Sequence, residues 1–155
     1  MFSSSTSAFT VSDENRPHHR FRTLRGDESN PSQVIAERLD GTIVGRHRII
    51  GKVLACEFGK SRRQLRTTIA RHSPSLVICL GLASGRQAIT PERIAINIDD
   101  ARIPDNAGNQ PVDKPVIRGG PAAYWSTLPI KAIVHTVASH GLSAGISQSA
   151  GYFRL

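Results

Sequence analysis

The chain has 155 residues, 39% of them hydrophobic, enough for one domain with a real core. No apolar run reaches transmembrane length, and the Ser/Thr-rich start from Met1 to Thr10 lacks the charged opening and apolar centre of a signal peptide, so a cytoplasmic protein is expected. A net charge of +8 invites a nucleic-acid reading, but aromatic residues are only 5% of the chain, too few to stack bases, and no nucleic-acid motif is present.

In chain order, residues 1–25 have neither a helical nor a strand period and are expected to be a disordered tail or a basic arm. From Asn30 the pattern becomes regular. Asn30 can cap a helix, with Pro31 at its first position and Gln33 completing a capping box. Val34, Ile35 and Leu39 give that helix an apolar face, and Gly41 stops it. Arg48 to Cys56 reads as a strand. Phe58 to His72 reads as a helix with Phe58, Leu65 and Ile69 inward and Pro74 beyond its end. Arg62, Arg63, Arg66 and Arg71 then form its solvated surface. Leu76 to Leu80 is nearly all apolar, as in a strand of a sheet covered on both faces. Arg93 to Ile98 is the next strand, followed by an Asp/Asn/Pro/Gly-rich loop from Arg102 to Gly120. A helix is expected from about Pro129 to His140, with Ile130, Ile133, Val134 and Val137 buried and Gly141 at its end. Ser143 to Ser147 reads as a last short strand. Alternating strands and helices predict an α/β fold with a largely parallel sheet. Cys56 and Cys79 fall in apolar strand-like runs and are expected to be buried, reduced thiols.

The most informative stretch runs Gly81-Leu82-Ala83-Ser84-Gly85-Arg86-Gln87-Ala88-Ile89-Thr90-Pro91-Glu92-Arg93-Ile94-Ala95-Ile96-Asn97 and on into Asp100-Ala101-Arg102-Ile103-Pro104-Asp105-Asn106. A strand leading into a Gly-bounded turn is where open α/β sheets place their sites. With Pro121-Ala122-Ala123-Tyr124-Trp125-Ser126-Thr127-Leu128-Pro129, it resembles the pyroglutamyl peptidase I family, cysteine peptidases that remove an N-terminal pyroglutamate. The family pattern is G-L-A-x-G-R-x-x-I-x-x-E-R-I/V-A-x-N, then D-A-R-I-P-D-N-x-G, then P-x-A-Y-x-S-T-L-P. The resemblance spans Asn30 to about Phe153. It implies a three-layer α/β/α sandwich around a twisted, largely parallel sheet, incomplete here, with residues 26–155 as the family domain. It also implies N-terminal pyroglutamyl peptides as substrates, no cofactor and no metal, no nucleic-acid or membrane partner, and room for a homo-oligomer.

A cysteine peptidase needs a thiolate, a histidine to move the proton, a group that orients the histidine, and donors for the oxyanion. The resemblance implies that Glu92 is the orienting acid; the plain alternative is a surface carboxylate paired with Arg93. It implies that Arg102 lies near the oxyanion; an ion pair with Asp99, Asp100 or Asp105 is an equal alternative. The backbone at Leu82 matches the loop that meets the pyroglutamyl ring. The family nucleophile follows S-x-S-A-G-x-Y/F-x-C-N, and Ser147-Gln148-Ser149-Ala150-Gly151-Tyr152-Phe153-Arg154-Leu155 puts Leu155 at the cysteine's position. The family histidine lies further on; His135 and His140 read as surface residues.

Both ends are compatible with a shifted reading frame. Asp13 to Arg25 can be encoded so that, one base over, the same DNA reads M-K-I-V-L-I-T-G-F-E-P-F-G, the family's first strand and loop. Arg154, Leu155 and a stop can be encoded so that removing one base gives the start of V-C-N. Residues 1–25 are then non-homologous, with 13–25 an out-of-frame reading. The chain as written is expected to have no peptidase activity and to leave apolar sheet edges uncovered. The alternatives are a non-catalytic family member that binds a peptide or partner and, more remotely, a basic nucleic-acid-binding protein.

Overall fold

The architecture, a computed structural model, describes residues 6–13, 30–83 and 85–148. The chain divides into two units, Met1–Leu82 and Ala83–Leu155.

In the first unit, strand β1 (Thr6–Asp13) is followed by helix α1 (Pro31–Leu39), the short strand β2 (Ile43–Val44), strand β3 (His47–Leu54), helix α2 (Lys60–His72) and strand β4 (Leu76–Gly81). Asn30 caps α1 as expected: its Oδ1 accepts from the Ser32 backbone N–H at 3.0 Å and from the Ser32 hydroxyl at 2.7 Å. Gln33 does not complete a capping box; its amide reaches forward to Glu37 Oε1 at 2.8 Å. Gly41, at φ +77°, ends the helix as expected.

The inward face of α1 is not the expected one. Ala36 is fully buried, whereas Ile35 and Leu39 are exposed. The cause lies in β3: a Cβ on Gly51 would come within 2.1 Å of the Ala36 carbonyl oxygen. A glycine in the strand lets the helix backbone sit almost against the sheet, and only a small residue fits at the crossing. Ala36 and Ile49 form the nucleus there, with Val53, Ile78 and Leu80 packed on it. The Gly51 N–H donates to Asp40 Oδ1 at 2.9 Å and fastens the end of the helix to the strand.

α2 begins at Lys60 after Gly59 (φ +72°) and closes at Ser73 in the left-handed conformation. Phe58 and Leu65 are half-buried and Ile69 lies at the surface, so its inward face is weaker than its apolar residues suggest. Arg63, Arg66 and Arg71 are exposed, as a solvated face requires. The helix is tied to the sheet by Gln64, whose Oε1 accepts from the Ala55 N–H at 2.8 Å.

The four-stranded sheet has the order β2-β3-β1-β4. The α/β class stands, but the hydrogen-bonded pairs of this sheet are antiparallel. β1 runs against β3, with Phe9 opposite Gly51, and against β4, with Phe9 opposite Ile78. β3 and β4 therefore point the same way, and the middle strand reverses the pairing on both its sides. Thr6–Asp13 also corrects the expectation that residues 1–25 lack regular structure. Two like-directed strands present facing rows of unpaired backbone groups, and an extended segment of either polarity satisfies them. Among the described residues β4 is not covered on both faces: Val77, Ile78 and Leu80 are half-buried, while Leu76 and Cys79 are exposed. Neither cysteine is in a disulfide, and Cys56 is half-buried.

In the second unit, β5 (Ile94–Ile96) pairs antiparallel with β6 (Ala123–Trp125). The expected strand at Ser143–Ser147 does not form as a strand; the segment lies beside residues 89–93 through two isolated parallel bridges, Ile89–Ala144 and Glu92–Ser147. Helix α3 (Ile130–Ser139) follows β6. Its stripe of Ile130, Ile133, Val134 and Val137 is half-buried rather than buried. The Asp/Asn-rich loop is an ordered excursion. Asp99 and Lys114 exchange backbone hydrogen bonds at 2.7 and 3.1 Å, and the Ala101 N–H donates to the Pro111 carbonyl at 2.8 Å. Buried Asn97 closes its far end, donating to the Ile117 carbonyl at 2.8 Å and accepting from the Ile117 N–H at 2.7 Å. Asn97→Ala leaves both Ile117 groups without these partners and is expected to cost about 2 kcal/mol, read as a lowered denaturant midpoint.

Candidate active site

Glu92 stands at the entrance of β5, where the chain is held on both sides. The Arg93 N–H donates to the Ser147 carbonyl at 2.9 Å, the Ser147 N–H donates to the Pro91 carbonyl at 3.0 Å, and the Ser126 N–H donates to the Arg93 carbonyl at 2.9 Å. A strand pinned between two neighbours fixes the origin of the Glu92 side chain, leaving only its rotamers free.

The cation beside Glu92 is not Arg93, the partner that adjacency suggests. Arg86 Nη1 lies 3.3 Å from Glu92 Oε1. The same nitrogen donates to Thr90 Oγ1 at 3.0 Å. The two oxygens of Glu92 differ in surroundings. The side chain is 37% exposed, yet Oε2 is closed off from solvent and has no hydrogen-bond partner among the described residues. A buried carboxylate oxygen is costly to leave unpaired, so an unsatisfied one marks a place where a donor belongs.

Arg102 lies in the excursion between Asp99 and Lys114, with an exposed side chain; its carbonyl accepts from Gln110 Nε2 at 3.1 Å. The Gln110 amide also reaches the Ala101 carbonyl at 3.1 Å, so Arg102 is carried on a braced backbone. Buried Asp105 organises the tip, its Oδ1 accepting from the N–H groups of Ala107 at 2.9 Å and Asn109 at 2.7 Å. Leu82 follows β4 at the end of the first unit and is exposed. Leu155 lies outside the described residues. His135 and His140 are exposed as expected, and His140 Nδ1 donates to the Thr136 carbonyl at 2.8 Å. Burial of the Cys79 thiol away from water pushes its pKa up, even though the residue as a whole is exposed. Such a thiol stays protonated near neutrality and is a poor nucleophile.

The structure thus joins Glu92 to Arg86, through it to Thr90, and by a backbone bridge to Ser147. Sequence reasoning missed Arg86 as the partner, and with it the structural parts played by Asn97 and Asp105. The signal for Arg86 was its place after Gly85, whose φ of +83° lets the chain turn back.

Two solved structures share this fold. The pyroglutamyl peptidase I of Bacillus amyloliquefaciens superposes with a TM-score of 0.78 at 47% identity, over 83% of this chain and 62% of that one. The pyrrolidone carboxyl peptidase of the hyperthermophile Pyrococcus furiosus gives 0.79 at 45% identity, over 85% and 64%. By class, then, this is an α/β protein with the fold of these two peptidases. The chain belongs to the pyroglutamyl peptidase family, whose model matches residues 20–154. The pyrrolidone-carboxylate peptidase of Escherichia fergusonii is 51% identical over 133 residues, 86% of this chain and 62% of the relative. The chain therefore spans 62% of the length of that curated relative, and the same share of the Bacillus cereus one, which is 50% identical.

Proposed function

We propose that residues 26–155 carry the scaffold and the orienting acid of an omega-peptidase that hydrolyses the N-terminal pyroglutamyl group from peptides. The observation that carries this reading is the state of Glu92. One oxygen is held by Arg86, and the other is enclosed with no hydrogen-bond donor among the described residues, as an acceptor awaiting an imidazole N–H would be.

In this reading Glu92 accepts a hydrogen bond from the catalytic histidine and fixes its tautomer. The histidine takes the proton of a cysteine thiol, and the thiolate attacks the carbonyl of the pyroglutamyl residue. The tetrahedral oxyanion collapses as the histidine returns the proton to the leaving amine. Water then cleaves the thioester, releasing pyroglutamate and the free thiol. Arg102 is proposed to face the oxyanion, and the backbone at Leu82 to meet the lactam ring.

Position 155 is the place of the nucleophile in this reading. Leucine there has no ionisable group, so a polypeptide of these 155 residues is proposed to be inactive. Restoring the frame by removing one base after the Phe153 codon is proposed to place a cysteine at 155 and to extend the chain into the segment bearing the histidine. Residues 13–25 are proposed to be an out-of-frame reading of the family's first strand and loop. The family's cytoplasmic setting and a homo-oligomeric state belong to the same proposal.

Alkylation of the frame-restored protein with limiting iodoacetamide at pH 7, mapped by mass spectrometry, tests the assignment. Label concentrated at position 155 and blocked by a pyroglutamyl ligand is the expected result. Label shared evenly with Cys56 and Cys79, unaffected by ligand, contradicts it.

A further inference from the structure

We infer that Arg86 is a positioning residue for the acid, selecting which Glu92 oxygen is left to the histidine; this rests on the reading of Glu92 proposed above. A carboxylate on a flexible side chain offers two equivalent oxygens, and rotation about its last bond exchanges them. Arg86 removes that equivalence. Its Nη1 stands 3.3 Å from Oε1 of Glu92 and 3.0 Å from Oγ1 of Thr90. Thr90 and Glu92 are two residues apart in an extended segment, so both side chains leave the same face and one guanidinium nitrogen reaches both. Arg86 is anchored in turn: its backbone N–H donates to the Ala83 carbonyl at 3.1 Å, and the left-handed Gly85 allows the turn. With Oε1 engaged, Oε2 points into the enclosed side of the strand, where it is shielded from solvent.

The ion pair is too open to serve mainly as a source of stability. Both side chains are more than a third exposed, and pairs of that kind add little to folding. Its contribution lies in orientation, and that separates a positioning role from a structural one. Loss of Arg86 should leave the fold in place while the histidine loses its fixed acceptor.

The test is a double-mutant cycle in the full-length peptidase of Escherichia fergusonii, at the motif positions matching Arg86 and Glu92, written in the present numbering. R86M is expected to lower kcat by about 10- to 100-fold, the scale of a small misplacement of a catalytic group, with KM and Tm nearly unchanged. R86K, which keeps the charge, should recover most of the loss. In an E92Q background R86M should add nothing, because a residue acting through Glu92 has no further effect once Glu92 is altered. Independent, multiplying losses from R86M and E92Q overturn the inference while leaving the acid role intact. A fall in Tm that accounts for the lost activity also overturns it. An E92Q enzyme with undiminished kcat overturns both this inference and the proposed role of the acid.

Discussion

Gly51→Ala is expected to dislodge α1 and unfold the first unit at moderate denaturant. The added methyl would sit 2.1 Å from the Ala36 carbonyl oxygen and 3.0 Å from both the Ala36 carbonyl carbon and Asp40 Cβ. Two of these are helix backbone atoms, so no side-chain rotation relieves the clash, and the helix as a whole must retreat. Retreat opens the Ala36–Ile49 nucleus and stretches the Gly51–Asp40 hydrogen bond together. Overpacking of this kind costs about 3 kcal/mol, a large share of a typical domain's stability. The loss should be severe here because the described core holds few fully buried large side chains, Leu54 at 2% exposure among them. Urea unfolding followed by circular dichroism measures the effect. Gly81→Ala is the control: its added methyl meets nothing within 4 Å, and its midpoint should stay near that of the parent.

Glu92→Gln is the second large expected effect. Glutamine preserves the shape and keeps an oxygen, but it removes the charge that stabilises the imidazolium and can present its amide hydrogens to the ring. In catalytic triads the corresponding acid-to-amide change lowers kcat by about 10⁴-fold, and a loss of about 10³- to 10⁴-fold is expected in a full-length family member. Steady-state hydrolysis of a fluorogenic pyroglutamyl amide, with Tm recorded alongside, checks it. A loss below tenfold would remove Glu92 from the mechanism.

Local signals carried much of the fold. The Asn30 cap, the Gly41 stop and the residue types of α2 and β4 are short-range chemistry, and each lies where its pattern placed it. The extended segment at Ser143–Ser147 was legible only in part, since it makes two isolated bridges rather than a strand. What escaped depends on tertiary choice. Strand direction is one case: Phe9 and Val11 alternate with Thr10 and Ser12, yet alternation says nothing of polarity, and β1 pairs antiparallel with both neighbours. Burial is another. The periodicity of α1 favoured Val34, Ile35 and Leu39, but the glycine at 51 brought Ala36 to the sheet.

The candidate site divides along the same line. Glu92 stood out as a lone carboxylate between Pro91 and Arg93. Its partner did not, because reaching Arg86 requires the turn at Gly85 to bring residue 86 back to residue 92. Asn97 lay inside the expected strand and Asp105 in the loop as a possible partner of Arg102, and only the hydrogen bonds to Ile117, Ala107 and Asn109 reveal them as the framework of the excursion that carries Arg102.

The central proposal is that this pyroglutamyl peptidase family scaffold has its nucleophile displaced by one base. The most direct measurement compares two polypeptides for release of pyroglutamate from a pyroglutamyl peptide: the 155 residues as written, and the product of the same gene with one base removed after the Phe153 codon. No release from the first and thiol-dependent turnover by the second is the predicted result. Turnover by the 155-residue chain, or none by a soluble, folded frame-restored protein, would contradict it.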